Sequence, residues 1–261
     1  MGFGCSVPAI LSTRTLENEK DKRLTIMLIP FMSCPAKTPI YLVFISAFFP
    51  HNKALIMFSL YLMGIVVAIL LALLFQNTIL KGSRGAFVME LPPYRMPTIK
   101  NLWIHVSERA KDFLTRAGTI LLAASIIIWF LRTFDFSFHM VANGQGSILE
   151  SIGKFISPIF TPCGFDSWEA AVALISGLVA KESVVSTLGV LTNNLASIFP
   201  SALSAFAFLT FTLLYTPCIA ALSATYKEMH SKRWFAFAVI MQLVVAYIIS
   251  LLVFQIGNLI F

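Results

Sequence analysis

Apolar residues run along this chain in long blocks separated by short charged intervals, the spacing of a protein folded in lipid rather than around a water-shielded core. Residues 54–79 carry no charged side chain; as a helix rising roughly 1.5 Å per residue they would extend about 39 Å, enough to cross a bilayer with tilt. Similar blocks occupy 117–131, 168–191, 203–226 and 234–261, and a shorter one at 38–49 reads as a half-helix or buried segment. The pattern predicts an all-α, polytopic membrane protein of about five to six membrane segments.

The polar intervals orient these segments. Residues 14–23 alternate in sign, with Arg14, Lys20, Lys22 and Arg23 against Glu17, Glu19 and Asp21, as a solvated helix end or loop does, and the basic excess places them on the cytoplasmic side. Residues 81–116 hold seven of the nineteen basic residues and the Pro-rich turn at 91–97, which marks a cytoplasmic loop. In its second half Ile99, Leu102, Trp103, Val106, Ala110 and Phe113 recur at helical spacing, predicting a helix along the membrane surface with Trp103 at the headgroups. Residues 135–153 lack Lys and Arg and read as an external loop. One simple span from Trp168 would then put the uncharged 192–201 loop inside and Lys227, Lys232 and Arg233 outside. The segment between 150 and 191 is therefore expected to be re-entrant or broken.

Composition narrows the class. The chain is 58% hydrophobic and 12% charged, with a mean hydropathy of +0.85, outside the range of soluble domains. Its net charge of +7 does not indicate nucleic acid, because the basic residues sit in loops beside apolar spans. No cleavable signal peptide opens the chain, and no phosphate-binding loop occurs; Gly82-Ser83-Arg84-Gly85 lacks the lysine and the spacing.

The candidate chemistry lies in four cysteines, each beside helix-breaking residues: Gly4-Cys5 before Pro8, Cys34-Pro35, Pro162-Cys163-Gly164 and Pro217-Cys218. Breaks at membrane depth are tolerated only where the freed backbone groups face protein, water or an ion, and discontinuous helices mark transporter sites. Thiols suit soft or borderline metals such as Fe(II), whereas Mg or Ca would take oxygen ligands. Reduced thiols are the default, since no short secreted framework or C-x-x-C pair is present. Lys181 and Glu182 interrupt an apolar block, and ionisable residues there are functional candidates. His51, His105, His139 and His230 fall in or near loops and read as solvated; Met27, Met32, Met57, Met63 and Met241 read as packing. Gly64 and Gly177 predict close helix approach.

These residues also resemble a known family. Gly-Phe-Gly-Cys-Ser-Val-Pro-Ala-Ile over residues 2–10, Ser12 to Glu17, Pro30-Phe31-Met32-Ser33-Cys34 with Lys37, Pro39 and Tyr41, Gly177 to Glu182 and Tyr215-Thr216-Pro217-Cys218 are similar to the membrane domain of ferrous iron transport protein B (FeoB). The resemblance implies a bacterial inner-membrane Fe(II) importer with two gate regions of nucleoside-transporter-like architecture. It implies Fe(II) as transported substrate, GTP acting only through a domain absent from this chain, and a separate amino-terminal GTPase half as partner. By position, Cys5 and Cys34 belong to the first gate's pore and Cys163, Glu182 and Cys218 to the second. The chain then divides into the end of the first gate region (1–23), a FeoB carboxy-terminal-type membrane segment (24–80), a cytoplasmic loop with interfacial helix (81–116), a second gate region (117–226), and a basic turn with the last membrane helix (227–261). The reading is a transporter rather than an enzyme, in contact with lipid, in monomeric or homo-oligomeric form and without nucleic acid. A nucleoside-like solute carrier and a membrane thiol oxidoreductase are the alternatives. The first would not need the thiols, and the second lacks a C-x-x-C motif.

Overall fold

The computed structural model describes residues 4–78, 98–135, 139, 146–191 and 195–260. The phosphate-loop-like 82–85 and the Pro-rich turn at 91–97 lie outside the described residues, as do parts of the 135–153 and 192–201 loops. Helices follow as α1 Ser6–Ser12, α2 Glu19–Leu28, α3 Thr38–Phe48, α4 Lys53–Asn77, α5 Ile99–Thr133, α6 Ile148–Ile156, α7 Trp168–Val179, α8 Ser183–Leu191, α9 Ala202–Leu214, α10 Ile219–Met229 and α11 Lys232–Ile260. Local signals start several of them: Asn18, Ser147, Ser167 and Ser201 each accept a backbone N–H of the first turn from the N-cap position.

Among the described residues, two candidate membrane spans are continuous and two are broken. α4 and α11 are unbroken, whereas 19–48 divides into α2 and α3 and 202–229 into α9 and α10. Proline causes both breaks. Pro30 and Pro35 lack the N–H needed to continue the ladder, and Cys34, held before Pro35, is extended at φ −90°, ψ 157°. Tyr215 to Cys218 leave the helix around Pro217 in the same way, with Tyr215 at φ −69°, ψ 169°. The block at 38–49 is thus the second half of a broken span, as its length predicted.

Segment α9–α10 is the centre of the molecule: 72% of its most apolar window is buried, against 28% for α4 and for α11, which present exposed Leu and Ile side chains on their outer faces. A ladder of rings fills the space around α9, from Phe44 and Phe199 against Phe208, through Phe165 and Phe160, to Phe211 stacked on Tyr215 at 5.4 Å between centroids. Between membrane helices packing has no bulk hydrophobic drive, so close contact matters. At Gly64 of α4 an added Cβ would lie 2.7 Å from the carbonyl oxygen of Phe31, the group that would have bonded the N–H that Pro35 lacks. Gly64→Ala is therefore expected to cost about 1–3 kcal/mol by pushing α4 off the break, measured as reduced resistance to denaturant in mixed micelles.

The segment expected to be re-entrant or broken is broken. α7 ends at Ala180, and α8 restarts at Ser183 and packs against it, with Ser183 Oγ donating to Ser176 O at 2.7 Å. Both outer ends of this pair lie toward the start of α9, with Phe199 against Phe44, while the tip reaches Thr216 at the α9–α10 break. Arg14, Lys22 and Arg23 share a face with the end of α10 and the start of α11.

Two sequence readings need correction. Residues 14–23 are not simply a solvated charge run, because Lys22 is buried at 8% exposure and Arg14 and Lys22 both pair with Glu228 of α10, at 2.5 and 3.5 Å. And α5 runs unbroken through 116–117, where a surface helix was expected to give way to a membrane segment. Trp103, near its start, is exposed.

Candidate functional site

Three helix breaks converge, and two buried lysines join them. Lys37, 2% exposed, sits at the N-cap of α3 and donates to Pro30 O at 3.2 Å and Met32 O at 3.3 Å within its own break. It also donates to Leu213 O, at 2.6 Å, in the α9–α10 break. These acceptors are carbonyls that helix interruption leaves free. Leu213 O in particular lacks its ordinary partner because residue 217 is proline. Three carbonyl acceptors match the three protons of an ammonium, so the geometry is that of the charged form.

Lys181, also 2% exposed, occupies the tip of the α7–α8 pair. Its Nζ donates to Thr216 O at 2.8 Å and stands 3.1 Å from the centre of the Tyr215 ring, a cation–π contact. Gly177 permits this approach: a Cβ there would meet Tyr215 Oη at 2.3 Å and Val184 Cγ2 at 2.6 Å. Tyr215 Oη in turn donates to Leu174 O at 3.3 Å, fixing the ring against α7.

Thiols surround this junction. Cys5 is the N-cap of α1, Cys34 the N-cap of the 3-10 turn Pro35–Lys37 that leads into α3, and Cys218 the N-cap of α10; none of the three side chains caps its own helix. Each thiol thus stands where a helix or turn begins. α1, which Cys5 precedes, packs on α10 and on the 3-10 turn Ile29–Phe31, alongside the breaks that hold Cys34 and Cys218. Among the described residues no three His, Cys, Asp or Glu side chains form a ready-made metal cage. The three thiols are spread over separate breaks.

Comparison with known proteins gives the same region a family. Residues 57–109 match the family model described as "Ferrous iron transport protein B C terminus", and residues 114–232 match the one described as "Nucleoside recognition", a gate. The chain is 40% identical to a protein named Fe(2+) transporter FeoB from Staphylococcus aureus, over 99% of this chain and 40% of the relative. It is also 40% identical to one of the same name from Methanocaldococcus jannaschii, over 100% of this chain and 41% of the relative. The chain belongs to the FeoB family and corresponds to its carboxy-terminal membrane region. A relative from Porphyromonas gingivalis, 36% identical over 100% of this chain and 37% of its own length, is named as a fusion of Fe(2+) transport protein A and the FeoB transporter. The chain therefore spans about two fifths of the length of the curated FeoB relatives it matches. No solved structure matches it.

Of the FeoB-type residues expected to line the pathway, the structure brings Cys5, Cys34 and Cys218 together and leaves two apart. Cys163 is fully buried at the end of the 3-10 turn Ser157–Cys163, and Ser204 at the start of α9 donates to the adjoining Gly164 carbonyl at 2.5 Å. Cys218 follows the far end of that helix, about 20 Å away for its 13 residues. Glu182 was expected to be buried beside Lys181; it is exposed, and only the lysine is buried. Lys37 appeared in the sequence only as part of the FeoB-like motif, with no role. Pro30, Pro35 and a lysine in an apolar stretch were the available signal, but they do not reveal that its ammonium serves a break 176 residues away.

Proposed function

We propose that this chain forms the membrane pathway of a ferrous iron importer, in which Cys5, Cys34 and Cys218 pass a partly dehydrated Fe(II) between two gate regions. The observation that carries the reading is the placement of three thiols at three helix N-termini around one junction of broken spans. The printed names of its relatives support Fe(II) as the transported substrate. Thiolates suit Fe(II), and separated ligands let it move on, since an ion held in a closed cage does not leave. Glu182, exposed at the tip of the α7–α8 pair, supplies a carboxylate at the edge of this path, and Cys163 belongs to a different level of the second gate.

The remaining parts of the reading concern context. The basic face formed by residues 14–23 and the start of α11 is the cytoplasmic side of a bacterial inner membrane. GTP acts through an amino-terminal half whose length the relatives supply, and the chain works with that half, as a monomer or a homo-oligomer, in contact with lipid. The division into gate and connecting regions at 23, 80, 116 and 226 is part of the same proposal.

In an assembled transporter containing this chain, Cys34→Ser and Cys218→Ser should each lower Fe(II) uptake at least about tenfold, the loss of a ligand worth 1.4 kcal/mol or more to the moving ion. Anaerobic uptake of radiolabelled iron into cells with equal membrane levels of each variant measures it. Full uptake in the double variant would reject the thiol pathway.

A further inference from the structure

Buried side-chain oxygens without a partner gather where the helices break. Ser176 Oγ in the last turn of α7, Thr212 Oγ1 in the last turn of α9 and Gln242 Oε1 on α11 have no hydrogen-bond partner among the described residues; the fourth such atom is Arg23 Nε, at the basic face. Enclosed oxygens of this kind cost stability, so each needs a reason. Gln242, 2% exposed, is the largest of the three side chains. Ala238, Gln242, Ala246 and Ser250 recur every fourth residue and are all buried, so they share the face that α11 turns to its neighbours. Ser250 Oγ donates to Ala207 O at 2.8 Å, and Gly257, further along α11, meets Leu203, earlier in α9, so the two helices run antiparallel. Eight residues back from Ser250 and eight forward from Ala207, about 12 Å at roughly 1.5 Å per residue, bring Gln242 opposite Tyr215. The other end agrees: the Tyr226 and Phe235 rings meet at 5.3 Å between centroids, and seven residues from that pair place Gln242 opposite Ile219. Gln242 therefore stands level with the break from Tyr215 to Cys218, and a helical side chain leans toward its own N-terminus, here toward the Cys218 end.

We infer that Gln242 supplies a neutral oxygen ligand to the divalent cation as it crosses this break. The inference rests on the reading of the junction as an Fe(II) pathway and adds to it a ligand from α11, a helix outside the broken spans. An amide carbonyl replaces one water of the ion's hydration shell without the desolvation cost that a carboxylate would carry at this depth. It also holds the ion less firmly than a carboxylate would, which suits an ion that must leave. Selectivity follows from the same atom. Thiols alone favour soft ions such as Cu(I) and Zn(II), whereas an amide oxygen favours harder ones such as Mn(II), and a mixed set suits Fe(II) between them. The Ser176 and Thr212 hydroxyls, in turns that end at the same junction, offer further neutral oxygens along the way.

A ligand and a structural residue respond in opposite ways when the amide is removed. Gln242→Leu deletes a buried, unpartnered oxygen, so resistance to denaturant in mixed micelles should stay at the parent's level or rise. In the assembled transporter the same variant should raise the KM for Fe(II) about tenfold. The experiment is anaerobic uptake of radiolabelled iron into cells with equal membrane levels of each variant, with Mn(II) and Zn(II) as competitors. Relative to Zn(II), Mn(II) should inhibit Gln242→Leu about tenfold less well than it inhibits the parent. Gln242→Met, with a thioether in place of the amide, should show the same shift. A stable Gln242→Leu variant with the parent's KM and the parent's competition pattern, while Cys34→Ser and Cys218→Ser lower uptake, overturns this inference alone. Loss of stability in both Gln242→Leu and Gln242→Met would show that the amide is bonded within the fold, and overturns it too. Full uptake in the double cysteine variant, with a raised KM in Gln242→Leu, would reject the thiols as ligands and leave the oxygen site standing.

Discussion

Lys37→Met should be among the most damaging single changes in this chain, lowering stability by about 3–5 kcal/mol, as expected when one partner of a buried charged cluster is removed. The stem of Met fills the same channel, so little packing is lost. The cost arises from Pro30 O, Met32 O and Leu213 O, which all lose their donor at once. In water such carbonyls would be hydrated; at the junction of two broken membrane segments they have no ready substitute. Lys37→Arg should not rescue fully, because a planar guanidinium cannot aim at three convergent carbonyls as a tetrahedral ammonium does. Denaturant titration in mixed micelles, with each variant compared against the parent, gives the free energy directly. A loss below about 1 kcal/mol for Lys37→Met would show that the breaks are held together by other contacts.

How much of this was legible beforehand depends on whether the signal is local. Proline beside a thiol within an apolar block announces a break, and the breaks at Cys34 and Cys218 lie where those residues stand. The α7–α8 turn was readable too, from the conflict between loop charge and simple spanning together with Lys181 and Glu182 in an apolar stretch. Depth is not local. Thr161-Pro162-Cys163 carries the same signal as Thr216-Pro217-Cys218, yet one lies at the start of α9 and the other beyond its end. Nor does local pattern distinguish neighbouring charges: Lys181 turns inward onto Thr216 while Glu182 stays exposed, a difference set by the Tyr215 ring packed on α7.

The same limit hid the ion cluster at the basic face, whose partners stand 214 residues apart in sequence. Alternating signs over 14–23 read as a solvated run because the acceptor, Glu228, belongs to the last turn of α10. Its carboxylate is 4% exposed, with Arg14 Nε donating to Oε1 at 2.7 Å and Lys22 Nζ at 3.5 Å from Oε2. The cluster ties α10 to the 3-10 turn Thr13–Thr15 and to α2, which leads into the first break, and both ion pairs converge on the one side chain of Glu228. Glu228→Ala should cost about 3–5 kcal/mol, since it leaves the largely buried Lys22 without a counter-charge, whereas Arg14→Ala should cost only about 1 kcal/mol because its side chain is 49% exposed. Glu228→Gln should fall between the two, keeping an acceptor but not the charge. A double-mutant cycle of Glu228→Gln with Lys22→Met tests the assignment: removing both charges should recover part of the loss, with a coupling of about 1–3 kcal/mol. Strict additivity would mean that Lys22 and Glu228 do not share a charge-balanced site, and that α10 is held at this face by packing alone.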